Sequence, residues 1–122
     1  IDEPELNLHP DNQRKMAGLL ARLVNSGVKV LITTHSDYLI REINNRIMLS
    51  NDMENKAELM QQQAWVELDI LRPHQVAAYT VGAKRTVERM TIDRFGIELK
   101  IFEELIAQAN QAADDTYYRI RE

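Results

Sequence analysis

An α/β fold is predicted by the order of apolar patterns in the first fifty residues of this 122-residue chain. An amphipathic helical pattern is followed by a short β-branched run, then by a second helical pattern and a second short apolar run. Helix–strand alternation of this kind is what a sheet covered by helices requires. The β-branched run, VKVLITT at Val28 to Thr34, is nearly all apolar, as a strand buried on both faces of a parallel sheet would be.

Each element has a local cause. From Pro10 to Ser26, Met16, Leu19, Leu20, Leu23 and Val24 recur at steps of three and four and form one helical stripe. Pro10 suits the first helical position, where its missing N–H costs nothing. Asp11 complements the positive end of the helix dipole. Gly27 is placed to close the helix with a left-handed residue. Ser36 is a good N-cap for a second helix whose Tyr38, Leu39, Ile40 and Ile43 make an apolar face. Arg46 to Ser50 reads as another short strand. The polar stretch Asn51 to Gln63 is expected to be an exposed connection or a short surface helix.

Beyond it the character of the chain changes. Trp65 to Leu71 alternates loosely as a strand, and Arg72-Pro73-His74 reads as a turn because the residue before proline disfavours helix. Val76 to Val81 and Arg85 to Ile92 are expected to pair as a hairpin around Gly82-Ala83-Lys84. Asp93-Arg94-Phe95-Gly96-Ile97 reads as a turn, and from Gly96 onward Leu99, Phe102, Leu105, Ile106 and Ala109 lay out a long amphipathic helix continuing through Tyr117 and Ile120. The expected division is therefore 1–50, 51–63 and 64–122, with a sheet-and-helix part, a connection, and a small β-hairpin followed by a C-terminal helix.

Composition narrows the function. With 44% apolar residues the chain suffices for one core. A net charge of -4 argues against a generic nucleic-acid face, since a domain living on phosphate contacts is usually basic. There is no cysteine, hence no disulfide framework or thiolate metal site. No apolar run approaches the ~20 residues of a membrane helix, so a cytoplasmic protein with no membrane partner is expected.

The chemistry is concentrated in Ile1-Asp2-Glu3-Pro4-Glu5 and Thr33-Thr34-His35-Ser36. Phosphoryl transfer needs Mg²⁺ to bridge the β- and γ-phosphates and a group that orients the attacking water. Two adjacent carboxylates at a strand end serve both needs, because successive side chains point to opposite faces. Asp2 is expected to face the metal and Glu3 the water. A histidine at the end of the next strand, beside a helix N-terminus, stands where α/β sheets bind ligands. A neutral imidazole there can donate one hydrogen bond to a phosphate oxygen. The bland counterparts are a surface acidic step and a half-buried histidine capping a helix. No G-x-x-x-x-G-K-S/T loop is present, and the four glycines (Gly18, Gly27, Gly82, Gly96) cannot build one.

Taken together, IDEPELNLHP, the amphipathic helix and VLITTHSDYLI resemble the Walker B, D-loop and switch-histidine region of ABC-type ATPase heads. The similarity is closest to the RecF-like and OLD-like AAA ATPases of bacterial DNA metabolism and phage defence, with SMC heads as more distant relatives. It covers roughly the first fifty residues and implies a partial P-loop NTPase. The resemblance puts Asp2 on the magnesium aspartate, Glu3 on the catalytic glutamate, Leu6, Asn7, Leu8 and His9 on the D-loop, and His35, followed by Ser36, on the switch histidine. One departure from transporter-type heads is His9 before Pro10, where those end the loop in Asp. Val76-Ala77-Ala78-Tyr79 and the Asp93 to Ile97 turn also resemble the tail of these bacterial ATPases, more loosely.

The resemblance implies an ATP- and Mg²⁺-dependent head that forms a head-to-tail homodimer sandwiching two ATPs, with DNA or a nuclease or other effector as a further partner. It also implies that the P-loop and signature motif lie upstream, in which case the 122 residues alone are expected not to hydrolyse ATP. The competing expectations are a non-enzymatic assembly or regulatory module, or an inactive remnant of such an ATPase. Less favoured are a metal-dependent nuclease using His9, His35, Asp2 and Glu3, nucleic-acid binding through Lys84, Arg85 and Arg89, and a partner surface at Tyr117, Tyr118 and Ile120. An incomplete sheet would also leave strand edges open to self-association.

Overall fold

The computed structural model describes residues 1–4, 6–81, 86–98, 111–113, 115, 116 and 119. Helix α1 spans Pro10–Asn25 and α2 spans Asp37–Met48. A short α3 covers Lys56–Gln62, and two 3₁₀ turns follow at Glu67–Asp69 and Pro73–Gln75. Four short strands follow: β1 Tyr79–Val81, β2 Val87–Arg89, β3 Ile92–Asp93 and β4 Gly96–Ile97, and the described residues 111–113, 115, 116 and 119 are helical. They pair as two antiparallel hairpins, with Val81 opposite Val87 and Ile92 opposite Ile97. The architecture is α/β, as its patterning predicts.

The ends of α1 follow from their residues. Pro10 is its first residue, and the His9 imidazole caps it by accepting from the Asp11 N–H. At the other end Gly27, at φ 94°, donates its N–H to the Val24 carbonyl, and the Val28 N–H reaches the Leu23 carbonyl. That pair of bonds adds to the Ser26 N–H in satisfying the last-turn carbonyls of Leu23 and Val24. Ser36 caps α2 through its hydroxyl, which accepts from the Leu39 N–H at 3.1 Å.

The core lies where α1 and α2 meet the second half of the chain. Ala17 and Ala21 of α1, with Leu39, Ile40, Ile43 and Ile47 of α2, pack with Leu71, Met90 and Ile97. Burying each of the larger side chains stabilises the fold by about 1.5–3 kcal/mol. The buried stripe of α1 is thus Ala17, Leu20 and Ala21, while Leu19 is exposed. Small residues face α2 because the helices approach closely there.

Four expectations are corrected. Arg46 to Ser50 is not a strand: α2 runs through Met48, because Ile47 continues the face of Leu39, Ile40 and Ile43. Trp65 to Leu71 is not a strand either. The buried Asp69 carboxylate accepts from the Val66 N–H at 2.9 Å and folds the segment into a 3₁₀ turn. Gly96 does not open a helix, since Gly96 and Ile97 form β4. Val28 to Thr34 is extended toward its end but forms only one parallel bridge, between Thr33 and Asp2. It is not buried on both faces, for Val28 and Leu31 are exposed while Ile32 packs against the core.

The expected hairpin of Val76 to Ile92 is present as β1 and β2, and the polar stretch after Asn51 holds the short α3. Glu5, the Gly82-Ala83-Lys84 turn, Arg85, and the helical stripe of Leu99, Phe102, Leu105, Ile106 and Ala109 lie outside the described residues, as do Tyr117, Tyr118 and Ile120.

Between the helices runs a charged network that the patterning did not reveal. Arg46, 2% exposed, donates to the Glu42 carboxylate at 3.0 Å, to the Glu42 carbonyl at 2.9 Å and to the Arg14 carbonyl at 3.3 Å. Arg22 pairs with Asp69 at 3.1 Å. Arg14 and Arg46 both lie over the Trp65 ring, 5.3 and 6.0 Å from its centre. Gly18 makes room for this: an added Cβ would stand 3.3 Å from Arg46 Nη2.

Candidate functional site

The site is assembled where the Ile1–Glu3 segment runs parallel to Leu31–Thr33. The Thr33 N–H donates to the Ile1 carbonyl at 3.0 Å and the Glu3 N–H to the Thr33 carbonyl at 2.7 Å. These two bonds set Asp2 directly beside Thr33. The Thr33 hydroxyl donates to the Asp2 carboxylate, fixing one of its oxygens and leaving the exposed remainder open. Thr33 belongs to the quoted Thr-Thr-His-Ser motif, but its role could be found only from the strand register.

Glu3 differs from its neighbour. Its backbone sits at φ 43°, a left-handed conformation that costs an L-residue roughly 1–2 kcal/mol. Such strain persists where the surroundings impose it, and it gathers at functional sites. Here the imposing groups are the Thr33 carbonyl, which holds the Glu3 N–H, and the Leu6 N–H, which donates to the Glu3 carbonyl at 3.1 Å. The half-buried Glu3 carboxylate lies 3.7 Å from His35 Nε2. The His35 side chain is 93% exposed, so its outer face is free to meet a ligand. Glu3 and His35 are therefore brought together, while the neighbouring Asp2 engages Thr33.

The loop Leu6 to His9 leads from this site into α1. Leu6 is exposed, and Asn7 takes φ 65°, which asparagine tolerates better than most residues. His9 engages Asp11, whose carboxylate is 3.7 Å from its Nδ1. Its observed role is the helix cap. Among the described residues no three His, Asp or Glu side chains gather as a metal site would need. Arg89 is exposed on β2, while the other two cations considered for nucleic-acid binding lie outside the described residues.

Ser36 touches the loop through an intermediary that sequence reasoning missed. Gln13 of α1 donates from Nε2 to the Leu8 carbonyl at 3.1 Å and accepts the Ser36 hydroxyl at 2.9 Å. Nothing in a glutamine on a polar helix face signals such a link. No described helix is long and apolar enough to cross a membrane.

Comparison with known proteins adds one match. No curated protein and no solved structure matches the chain significantly. The family described as AAA ATPase domain matches residues 1–40, a span that contains Asp2, Glu3, the Leu6 to His9 loop, His35 and Ser36. This similarity supports an AAA-type ATPase fragment in that part of the chain, a family that binds nucleotide, typically with Mg²⁺.

Proposed function

We propose that residues 1–50 form the hydrolysis half of an ATP-binding head of the RecF-like or OLD-like kind, within a cytoplasmic ATPase whose P-loop and signature motif lie elsewhere in the protein. The observation that carries this reading is the pairing of Asp2 with Thr33, which leaves Glu3 and His35 3.7 Å apart within the matched span. Asp2 supplies the hard carboxylate oxygen that Mg²⁺ prefers, the remaining ligands being phosphate and water. Bound there, the metal supplies charge neutralisation on the phosphates. Glu3 orients the water for in-line attack. His35 donates a hydrogen bond to a terminal phosphate oxygen, and its nearness to the Glu3 carboxylate keeps the imidazole oriented. Loop Leu6 to His9 meets the opposite subunit of a head-to-tail homodimer, and DNA or a nuclease effector is the further partner.

The decisive variant is Glu3→Gln in the complete protein. It removes the charge that orients water and keeps the side-chain shape, so turnover should be abolished while ATP binding persists and the dimer stays closed. Unchanged turnover refutes the assignment. A second reading, a non-enzymatic assembly or regulatory module, is favoured by one observation only: the 122 residues contain no phosphate-binding glycine loop. Full turnover loss in Glu3→Gln excludes it.

A further inference from the structure

Gln13 uses both ends of its amide, and the chemistry of its partners leaves one arrangement. The Ser36 hydroxyl accepts the Leu39 N–H that caps α2, at 3.1 Å, so its single proton is left to donate. It donates to Gln13 Oε1 at 2.9 Å. The other end of the amide must then be the NH₂ group, and it meets the Leu8 carbonyl, which can only accept, at 3.1 Å. The Gln13 backbone N–H also reaches the His9 carbonyl at 3.0 Å. On the far side, the Ser36 N–H donates to Thr34 Oγ1 at 3.0 Å, bracketing His35 between two tied residues. Gln13 is half-buried, so these bonds are shielded from water on one side.

We propose that Gln13 is a positioning residue that couples the Leu6 to His9 loop to His35. It touches neither nucleotide nor metal. A displacement of the loop by the opposite subunit pulls on the Leu8 carbonyl, turns the Gln13 amide and shifts Ser36, whose neighbour is the histidine. The single hydroxyl proton and the fixed polarity of the amide make the link directional in its bonding: a side chain that cannot both donate and accept breaks it. This inference rests on the ATPase reading of the site and adds to it a route by which dimer contact reaches the phosphate-sensing residue.

The test is a double-mutant cycle in the complete protein, with Gln13→Leu and His35→Ala, read by kcat and KM for ATP together with the melting temperature. Gln13→Leu should lower kcat about tenfold, a common size for coupling between sites, with KM within about twofold. In the His35→Ala background the same change should have no further effect on kcat, because Gln13 acts through the histidine. Loss of the same size in both backgrounds, or no loss of kcat at all, overturns the proposal. If Gln13→Leu does not fold, Gln13→Glu takes its place in the cycle. It keeps the acceptor for Ser36 and loses the donor to Leu8, and the same outcomes decide. Failure of the underlying reading is distinguishable: then His35→Ala and Glu3→Gln would themselves leave turnover intact.

Discussion

Replacing Gly96 by alanine tests how the second half of the chain is held on α2. Gly96 is buried at φ 104°, the first residue of β4, directly after the turn that joins it to β3. An added Cβ would overlap the amide of Asn44 and stand 2.8 Å from the Asn44 Cβ. Asn44 is 4% exposed and makes a two-way clasp with Ile97, donating to its carbonyl at 3.1 Å and accepting its N–H at 2.7 Å. An alanine at this φ costs about 1–2 kcal/mol from backbone strain alone. Displacing Asn44 forfeits two buried hydrogen bonds, each worth about 1 kcal/mol net. The expected loss is therefore about 3–4 kcal/mol, which lowers the melting temperature by about 10 °C or more. Urea unfolding followed by far-ultraviolet circular dichroism measures it. In an Asn44→Gly background, which removes the Asn44 Cβ together with its amide, the collision is gone, and Gly96→Ala should cost only its strain, about 1–2 kcal/mol. A loss under about 1 kcal/mol, or an equal loss in both backgrounds, refutes the reasoning.

Two further outcomes follow from the same structure. Arg46→Met leaves the Glu42 carboxylate, 11% exposed in its side chain, without its 3.0 Å partner; a destabilisation of about 3 kcal/mol is expected. The double variant with Glu42→Met should regain most of it in the same urea assay, and no recovery would show that the pair's charges are not the cause. The 122 residues by themselves should release no measurable phosphate from ATP, because the backbone N–H groups and lysine that cradle phosphates are absent from the sequence. Magnesium-dependent release that disappears in Glu3→Gln would overturn that expectation.

What the sequence determined by itself was whatever acts within a turn or two of chain. Pro10 and Gly27 bound α1, and Ser36 starts α2, because a missing N–H, a positive φ and a capping oxygen act on neighbouring backbone alone. The acidic pair and His35 could be proposed from the sequence alone because residue type and local order mark them out. The tertiary structure decided the rest. Arg46 to Ser50 has a strand-like composition, but its fate depended on whether Ile47 and the charged end of Arg46 found partners on α1 and on Glu42, and they did as helix. Trp65 to Leu71 turned on Asp69 meeting Arg22, and β4 on Asn44 clasping Ile97. Gln13 gained its role only when Leu8 and Ser36 arrived on either side of its amide. A buried polar group must find a partner wherever the fold supplies one, and partners that distant in sequence leave no local mark.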